Sequence, residues 1–175
     1  MDYANFLDQK RATVTDAGRA INPTDVHPDA KPHQRAIVAW ACRKGRAAIF
    51  ADTGLGKTLM LLEWARLIGE RTLVLAPLSV ARQIVREAAK WGVEARYVRE
   101  QAAVGDGINV TNYELLDHFN LVTFGAVVLD ESSILKALDG KTRQRLTEAF
   151  AATPYRLCCT ATPAPNDIAE IANHA

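Results

Sequence analysis

Short apolar runs alternate with amphipathic stretches along most of the chain. Several of the runs are continuous rather than alternating, which is typical of strands in a parallel sheet that is covered by helices on both faces. These runs predict strands at 47–51, 72–76, 95–98, 108–110, 126–130 and 155–160. Apolar residues at helical spacing predict the intervening helices at 57–68, 80–91 and 142–151. The pattern therefore predicts an α/β fold with a doubly wound, mostly parallel sheet.

The first 30 residues are weakly patterned and end in a turn-rich stretch that contains Pro23 and Pro28. Because proline fixes φ and the neighbouring Asn and Asp residues favour turns, we interpret residues 1–30 as an N-terminal arm. A helix is then predicted from Pro32, a plausible first helical position, up to the first strand. Residues 31–175 are expected to form one domain, since a chain of 175 residues holds one core and would be crowded with two.

Composition excludes several classes of protein. A hydrophobic fraction of 49% and a charged fraction of 23% are those of a folded globular chain. With 21 basic against 20 acidic side chains, any nucleic-acid surface must be local. Three cysteines, two of them adjacent, give neither a zinc spacing nor a disulfide framework. The acidic N-terminus is not a signal peptide, and no run of about 18 apolar residues exists for a membrane span. We expect a cytoplasmic protein with no membrane partner.

A glycine-rich motif lies between the strand predicted at 47–51 and the helix predicted at 57–68. Its sequence, Ala-Asp-Thr-Gly-Leu-Gly-Lys-Thr, has the spacing of a Walker A phosphate-binding loop with alanine in place of the first glycine. The glycines let backbone N–H groups point at phosphate oxygens, and the helix N-terminus adds partial positive charge. Lys57 is expected to reach the β- and γ-phosphates, and Thr58 to bind Mg²⁺. The predicted nucleotide-binding residues are Thr53, Gly54, Leu55, Gly56, Lys57 and Thr58.

Two carboxylates follow the strand predicted at 126–130, at the end where α/β sheets bind their ligands. Asp130 is expected to hold Mg²⁺, directly or through water, and Glu131 to polarise the attacking water as a general base. Taken alone, such an Asp-Glu pair is more commonly a helix cap. With a Walker A loop upstream we interpret it as a Walker B motif, so Glu131 and Lys57 are the candidate catalytic residues.

The order of these motifs resembles the first motor domain of superfamily 2 helicases and translocases, especially the Swi/Snf-like branch and the DEAD-like helicases of phages and prophages. The resemblance covers residues from about 31 to 168. It implies a RecA-like P-loop NTPase domain that uses ATP and Mg²⁺, in a bacterial or phage-infected cell. It also implies that Gln34, in Lys-Pro-His-Gln, reads adenine; without it, Gln34 would be an exposed polar residue on a helix.

The same resemblance implies a nucleic-acid surface, with DNA a more expected partner than RNA. Leu-Val-Leu-Ala-Pro-Leu-Ser resembles motif Ia, Val-Thr-Asn-Tyr-Glu resembles the next nucleic-acid element, and a basic segment follows motif II. The residues assigned in this way are Pro77, Ser79, Arg82, Thr111, Asn112, Lys136, Lys141 and Arg143. From the residues alone, Pro77 is equally a strand terminator, Asn112 a turn residue, and the basic segment a solvated helix face.

The last motif, Thr-Ala-Thr-Pro after the strand predicted at 155–160, resembles motif III. The resemblance implies that Thr160 and Thr162 couple the phosphate site to the nucleic-acid surface. The few residues after Asp167 are too short for a second α/β domain, so we expect the arginine finger that stabilises phosphoryl transfer to come from outside these 175 residues.

We therefore expect an ATP-binding motor domain that hydrolyses ATP poorly alone. Its expected partner is a second RecA-like domain, in the parent protein or in another chain. The alternatives are a non-catalytic ATP-dependent adaptor, which Glu131 disfavours, and a P-loop kinase or unrelated ATPase, which leaves Gln34 and Thr160 unexplained.

Overall fold

The computed structural model describes residues 16–132 and 140–162, with only the backbone at 140–143 and 145. The strands in these ranges are β1 (Arg46–Phe50), β2 (Thr72–Ala76), β3 (Ala95–Tyr97), β4 (Ile108–Asn112), β5 (Ala126–Asp130) and β6 (Tyr155–Thr160). They form one sheet in the order β1-β6-β5-β2-β4-β3, and every neighbouring pair is parallel. The predicted α/β class with a parallel sheet is confirmed.

Four α-helices are described: α1 (Pro32–Lys44), α2 (Lys57–Ile68), α3 (Leu78–Lys90) and α4 (Gly140–Phe150). Helix α3 begins two residues before the predicted position, because the Pro77 carbonyl already accepts the N–H groups of Val80 and Ala81. A 3₁₀ segment, Tyr113–His118, follows β4. Within the described ranges, none of the helices has the length and apolar character needed to cross a membrane.

The core has two parts, one on each face of the sheet. Along β2, Val74 and Ala76 contribute to the cluster beneath α1, α2 and α3, whereas Leu73 and Leu75 contribute to the cluster that includes the 3₁₀ segment and α4. All five residues of β2 are buried. Burial on both faces explains why the apolar runs in the sequence are continuous, as a covered parallel sheet requires.

The described part of the predicted N-terminal arm lies against α1 and α2. Val26 and Ala30 are buried, and the His27 N–H donates to Oε2 of Glu63 on α2 at 2.7 Å. Arg66, one turn further along α2, donates two hydrogen bonds of 2.8 Å to the Glu63 carboxylate. The segment before α1 is therefore fastened to α2 by a buried carboxylate.

Candidate functional site

The carboxyl ends of all the parallel strands lie at one edge of the sheet, the edge at which α/β proteins bind ligands. On the three neighbouring strands β1, β6 and β5, these ends are Phe50, Thr160 and Asp130. Phe50 is in register with Thr160, and Asp130 with Cys159. The fold therefore places the glycine-rich loop after β1 and the acidic pair after β5 on either side of the end of β6.

The glycine-rich loop turns sharply between β1 and α2. Gly54 and Gly56 have φ values of 82° and 80°, in the left-handed region that glycine adopts without steric cost. Lys57 is the first residue of α2, and its Nζ donates to the carbonyls of Ala51 at 2.8 Å and Asp52 at 3.3 Å. The ammonium group is thereby held across the loop, beside an exposed backbone that an anion can approach.

Asp52 takes part in the loop, although the sequence analysis did not single it out. The Thr53 N–H donates to Asp52 Oδ1 at 2.6 Å, and the Leu55 N–H donates to the Asp52 carbonyl at 3.3 Å. A phosphate that accepts the Thr53 N–H must displace this exposed carboxylate. The sequence signal that could have indicated this role of Asp52 is the preference of aspartate side chains for hydrogen bonds to nearby backbone N–H groups in turns.

Gln34 is buried on α1, with 7% of its surface exposed, rather than being an exposed polar residue. Its Oε1 accepts the Lys31 N–H at 2.8 Å, and its Nε2 donates to the Leu55 carbonyl at 2.9 Å. The glutamine amide therefore supports the glycine-rich loop, and a Cβ at position 56 would have to displace the end of this side chain.

The acidic pair after β5 is electrostatically unusual. Asp130 is 8% exposed, and burial raises its pKa to about 6. The Glu131 charge also raises this pKa, while a hydrogen bond from the Glu131 backbone and the Lys57 charge lower it.

Glu131 has a φ of 52°, the one positive value at a non-glycine residue among those described. Positive φ at such a residue is strained, and strain of this kind clusters at functional sites.

Thr160, at the end of β6, contacts both motifs. Its Oγ1 donates to Glu131 Oε1 at 2.8 Å and accepts the Thr162 N–H at 3.1 Å. Its carbonyl accepts the Ala51 N–H at 3.2 Å. The two predicted coupling residues thus contact each other, because the backbone N–H of Thr162 donates to the side chain of Thr160.

Tyr113 contacts the acidic pair, although no pattern in the sequence indicated this. Its hydroxyl donates to the carbonyl of Asp130 at 2.9 Å, and burial raises the pKa of the phenol well above its usual value. In the sequence, a tyrosine at this place is indistinguishable from an ordinary core aromatic residue. Its role depends on the three-dimensional approach of the 3₁₀ segment to β5.

The donor set fits a magnesium–nucleotide complex. Protein sites commonly hold Mg²⁺ through one or two carboxylates together with phosphate oxygens and water. Asp130 supplies a buried carboxylate close enough to Lys57 for the lysine charge to lower its pKa, and Thr58 lies in the first turn of α2. A divalent cation would stabilise the charged form of Asp130, which burial otherwise disfavours.

Three of the predicted nucleic-acid residues lie where β2 leads into α3. Pro77 is the N-cap of α3, and Ser79 is in its first turn. Ser79 and Arg82 are exposed, and the Arg82 guanidinium lies 5.5 Å from the centre of the Tyr97 ring. A ring beneath a guanidinium restrains it and leaves its charge available to solvent.

Thr111 and Asn112 do not lie at the surface. Thr111 is fully buried, and its hydroxyl has no hydrogen-bond partner among the residues that the structure describes. The buried Asn112 accepts the Tyr97 hydroxyl at 2.9 Å and donates to Glu114. The expected direct contact of these side chains with nucleic acid therefore does not agree with their burial. The reason is that β4 continues to Asn112, paired with Ala76, instead of ending at Val110.

The remaining basic candidates cannot be located in the same way. Lys136 lies outside the described residues. Lys141 and Arg143 belong to α4, but their side chains lie outside the described part of the structure.

The parallel sheet and the glycine-rich loop at its carboxyl edge are typical of the α/β P-loop class of domains. A family model described as the SNF2-related domain matches residues 33–173. The chain belongs to this family and is a superfamily 2 motor domain with a RecA-like fold, which confirms the family resemblance of the sequence.

Solved structures support the fold independently. The SWI2/SNF2 ATPase core of Sulfolobus solfataricus, solved in complex with dsDNA, is similar with a TM-score of 0.74 and 20% identity over 89% of this chain. The UvsW helicase of bacteriophage T4 is similar with a TM-score of 0.67 and 11% identity over 99% of this chain. The Hef helicase domain of Pyrococcus furiosus is similar with a TM-score of 0.66 and 18% identity over 89% of this chain. The chain spans 37%, 65% and 38% of those three chains. No curated protein matches it significantly.

Proposed function

We propose that this chain is the ATP-binding N-terminal motor domain of a DNA helicase or translocase, which couples ATP hydrolysis to movement on nucleic acid. The observation that carries the proposal is the position of Thr160. Its side chain binds Glu131 and its carbonyl binds the start of the phosphate loop. One residue thereby contacts both the proposed phosphate-binding loop and the candidate general base, which supports a site that acts on the γ-phosphate.

Each residue of the site has a proposed role. Lys57 exchanges its two carbonyl contacts for phosphate oxygens, and the N–H groups of residues 53–58 bind the phosphates. Asp130 and Thr58 hold Mg²⁺, which when bound neutralises charge on the phosphate oxygens. Glu131 orients and deprotonates the attacking water. Gln34, already in contact with the loop, recognises adenine.

We propose that nucleic acid binds near the β2–α3 junction, where Pro77, Ser79 and Arg82 lie. The support is the exposure of Ser79 and Arg82 and the dsDNA in the Sulfolobus solfataricus relative. DNA is therefore the proposed partner rather than RNA. Thr111 and Asn112 are left out of this surface as direct contacts because their side chains are buried.

We also propose that fast hydrolysis needs a second RecA-like domain. This chain spans 37% to 65% of the chains of its structural relatives. An arginine finger supplied from a second domain stabilises the transition-state charge, and such fingers are worth about 10³ to 10⁵ in rate. The isolated chain is accordingly expected to bind ATP–Mg²⁺ weakly and to hydrolyse it slowly.

The test is a calorimetric titration of the chain with a non-hydrolysable ATP analogue, with Mg²⁺ and with EDTA, followed by single-turnover hydrolysis with and without dsDNA. We expect Mg²⁺-dependent binding and slow hydrolysis. Absence of binding to any nucleoside triphosphate would overturn the nucleotide site. Fast dsDNA-stimulated turnover by this chain alone would overturn the need for a second domain.

A further inference from the structure

We infer that Tyr113 is a positioning residue for Glu131, acting through the peptide bond that joins Asp130 to Glu131. The inference deepens the proposed function, because it rests on Glu131 as the residue that activates water. Tyr113 itself touches neither nucleotide nor water in this scheme. It fixes the backbone from which the Glu131 side chain projects.

The hydroxyl of Tyr113 contacts the β5 backbone at the residue where pairing of β5 with β2 has ended. Pairing of β5 with β2 ends at Leu129, whereas pairing with β6 continues to Asp130. Beyond the last β2 pair, the Asp130 carbonyl accepts the Tyr113 hydroxyl at 2.9 Å. A side chain from the 3₁₀ segment thus holds the end of β5 on the side where β2 no longer pairs with it.

The peptide held in this way leads into a strained residue. Glu131 has a φ of 52°, and a non-glycine residue keeps such a conformation only where its surroundings enforce it. Hydrogen bonds on both sides of the residue do so here. Tyr113 holds the carbonyl of the peptide that precedes Glu131, the Glu131 N–H binds the Asp130 carboxylate, and Thr160 binds the Glu131 carboxylate at 2.8 Å. Removing the first would loosen the carbonyl side of this peptide and would displace the carboxylate from its position.

The burial of Tyr113 is consistent with a specific use of its hydroxyl. The side chain is 6% exposed and lies in the core cluster that contains Leu75 and Val127, where a phenylalanine would fill nearly the same volume. Leaving a buried hydroxyl without a hydrogen-bond partner costs free energy, and the partner of this hydroxyl is the backbone of the acidic pair. Packing alone would not require the oxygen.

The first experiment measures backbone strain and needs no nucleotide. Glu131→Gly and Glu131→Ala both remove the carboxylate, but only glycine relieves positive φ, so the glycine variant should melt several degrees higher. In the Y113F background the alanine chain can relax, and this difference in melting temperature should fall by at least half. An equal difference in the two backgrounds would overturn the inference.

The second experiment separates chemistry from binding. In single-turnover hydrolysis at saturating ATP, Tyr113→Phe should lower the rate at least fivefold, while the Kd for a non-hydrolysable analogue stays within twofold. Tyr155→Phe is the matched control, since Tyr155 lies at the opposite end of β6; it should change neither quantity. An unchanged rate for Y113F, or equal changes in rate and affinity, would contradict a positioning role.

The two experiments distinguish failure of this inference from failure of the proposed function. If the wild-type chain binds no nucleoside triphosphate, the proposed function fails, and with it the role of Glu131. The melting-temperature difference still decides whether Tyr113 holds the Asp130–Glu131 peptide. A reduced difference would then support the geometric part alone and remove its catalytic consequence.

Discussion

The side chain of Thr160 and the carboxylate of Glu131 are joined by a 2.8 Å hydrogen bond at the centre of the ligand-binding edge. Because the same threonine accepts the Ala51 N–H at 3.2 Å, we expect a movement of the glycine-rich loop to be transmitted to Glu131 through the end of β6. Both contacts are made by Thr160, one through its side chain and one through its carbonyl. A single substitution at this position can therefore test the side-chain contact.

Replacing Thr160 by valine keeps the branched shape and removes the hydroxyl. The Glu131 carboxylate loses a charge-assisted donor, so we expect a loss of about 1 to 2 kcal/mol in the free energy of unfolding, measured by urea denaturation at pH 7.5. Thr162→Val is the matched control. Thr162 is exposed and contributes its backbone N–H, so its substitution should cost less than about 0.5 kcal/mol. Equal costs at the two positions would show that the hydroxyl contact is unimportant.

Lys57→Ala removes the ammonium group that spans the phosphate loop. We expect the affinity for an ATP analogue, measured by calorimetry with Mg²⁺, to fall at least about tenfold because a charge-assisted contact is lost. The circular dichroism spectrum should not change. Lys90→Ala, in an exposed pair with Glu87, is the control for the loss of one positive charge. Unchanged affinity in Lys57→Ala would remove the phosphate-loop assignment.

Asp130→Asn should stabilise the nucleotide-free domain at neutral pH. Burial raises the Asp130 pKa from 3.8 to about 6, so between these values the folded state binds more protons than the unfolded state, and stability from this group falls as the pH rises. Above pH 7 the ionised, buried carboxylate opposes folding. We expect the substitution to add about 1 to 3 kcal/mol to the free energy of unfolding at pH 7.5, because the ionised carboxylate is then absent, and nothing near pH 4.

The measurement for Asp130→Asn is urea denaturation at several pH values from 4 to 8 in EDTA. Asp106→Asn is the control, because the pKa of this exposed carboxyl is shifted in the opposite direction: a hydrogen bond from Arg71 lowers it. It should show no gain at pH 7.5. A stability difference for Asp130→Asn that is independent of pH would show that packing, and not ionisation, dominates at this position.

Gln34→Ala removes the amide that lies between the Lys31 backbone and the phosphate loop. We expect the ratio of ATP-analogue to GTP-analogue affinity to fall at least about fivefold, because a hydrogen-bonding group that distinguishes the bases is lost. His33→Ala, at the exposed neighbouring position, should leave the ratio unchanged. If Gln34→Ala weakens both nucleotides equally, Gln34 acts only as a support of the loop.

The sequence predicted the fold well because the determining signals are local. Continuous apolar runs bounded by turns indicated the buried parallel strands, and the spacing of Gly54, Gly56 and Lys57 indicated the phosphate loop. The end of β4 could not be predicted, because polar Thr111 and Asn112 look like a turn until Asn112 is seen paired with Ala76. Tyr113 was missed for a similar reason. Its partner is a backbone carbonyl 17 residues away, and no residue pattern marks such a contact.

The carboxylate of Glu63 has a consequence for how the domain can respond to nucleotide. Through the His27 N–H it fastens the chain segment before Gln34 to the helix that begins with Lys57, and Arg66 of the same helix donates to the Asp25 carbonyl at 2.8 Å. Burial raises the pKa of Glu63, but the hydrogen bonds from Arg66 and from the His27 N–H outweigh it and hold the pKa below its usual value, so the contact persists at neutral pH. We therefore expect the group that would contact the base and the helix that would contact the phosphates to move together, so that a rearrangement on nucleotide binding would fall on residues 51–56.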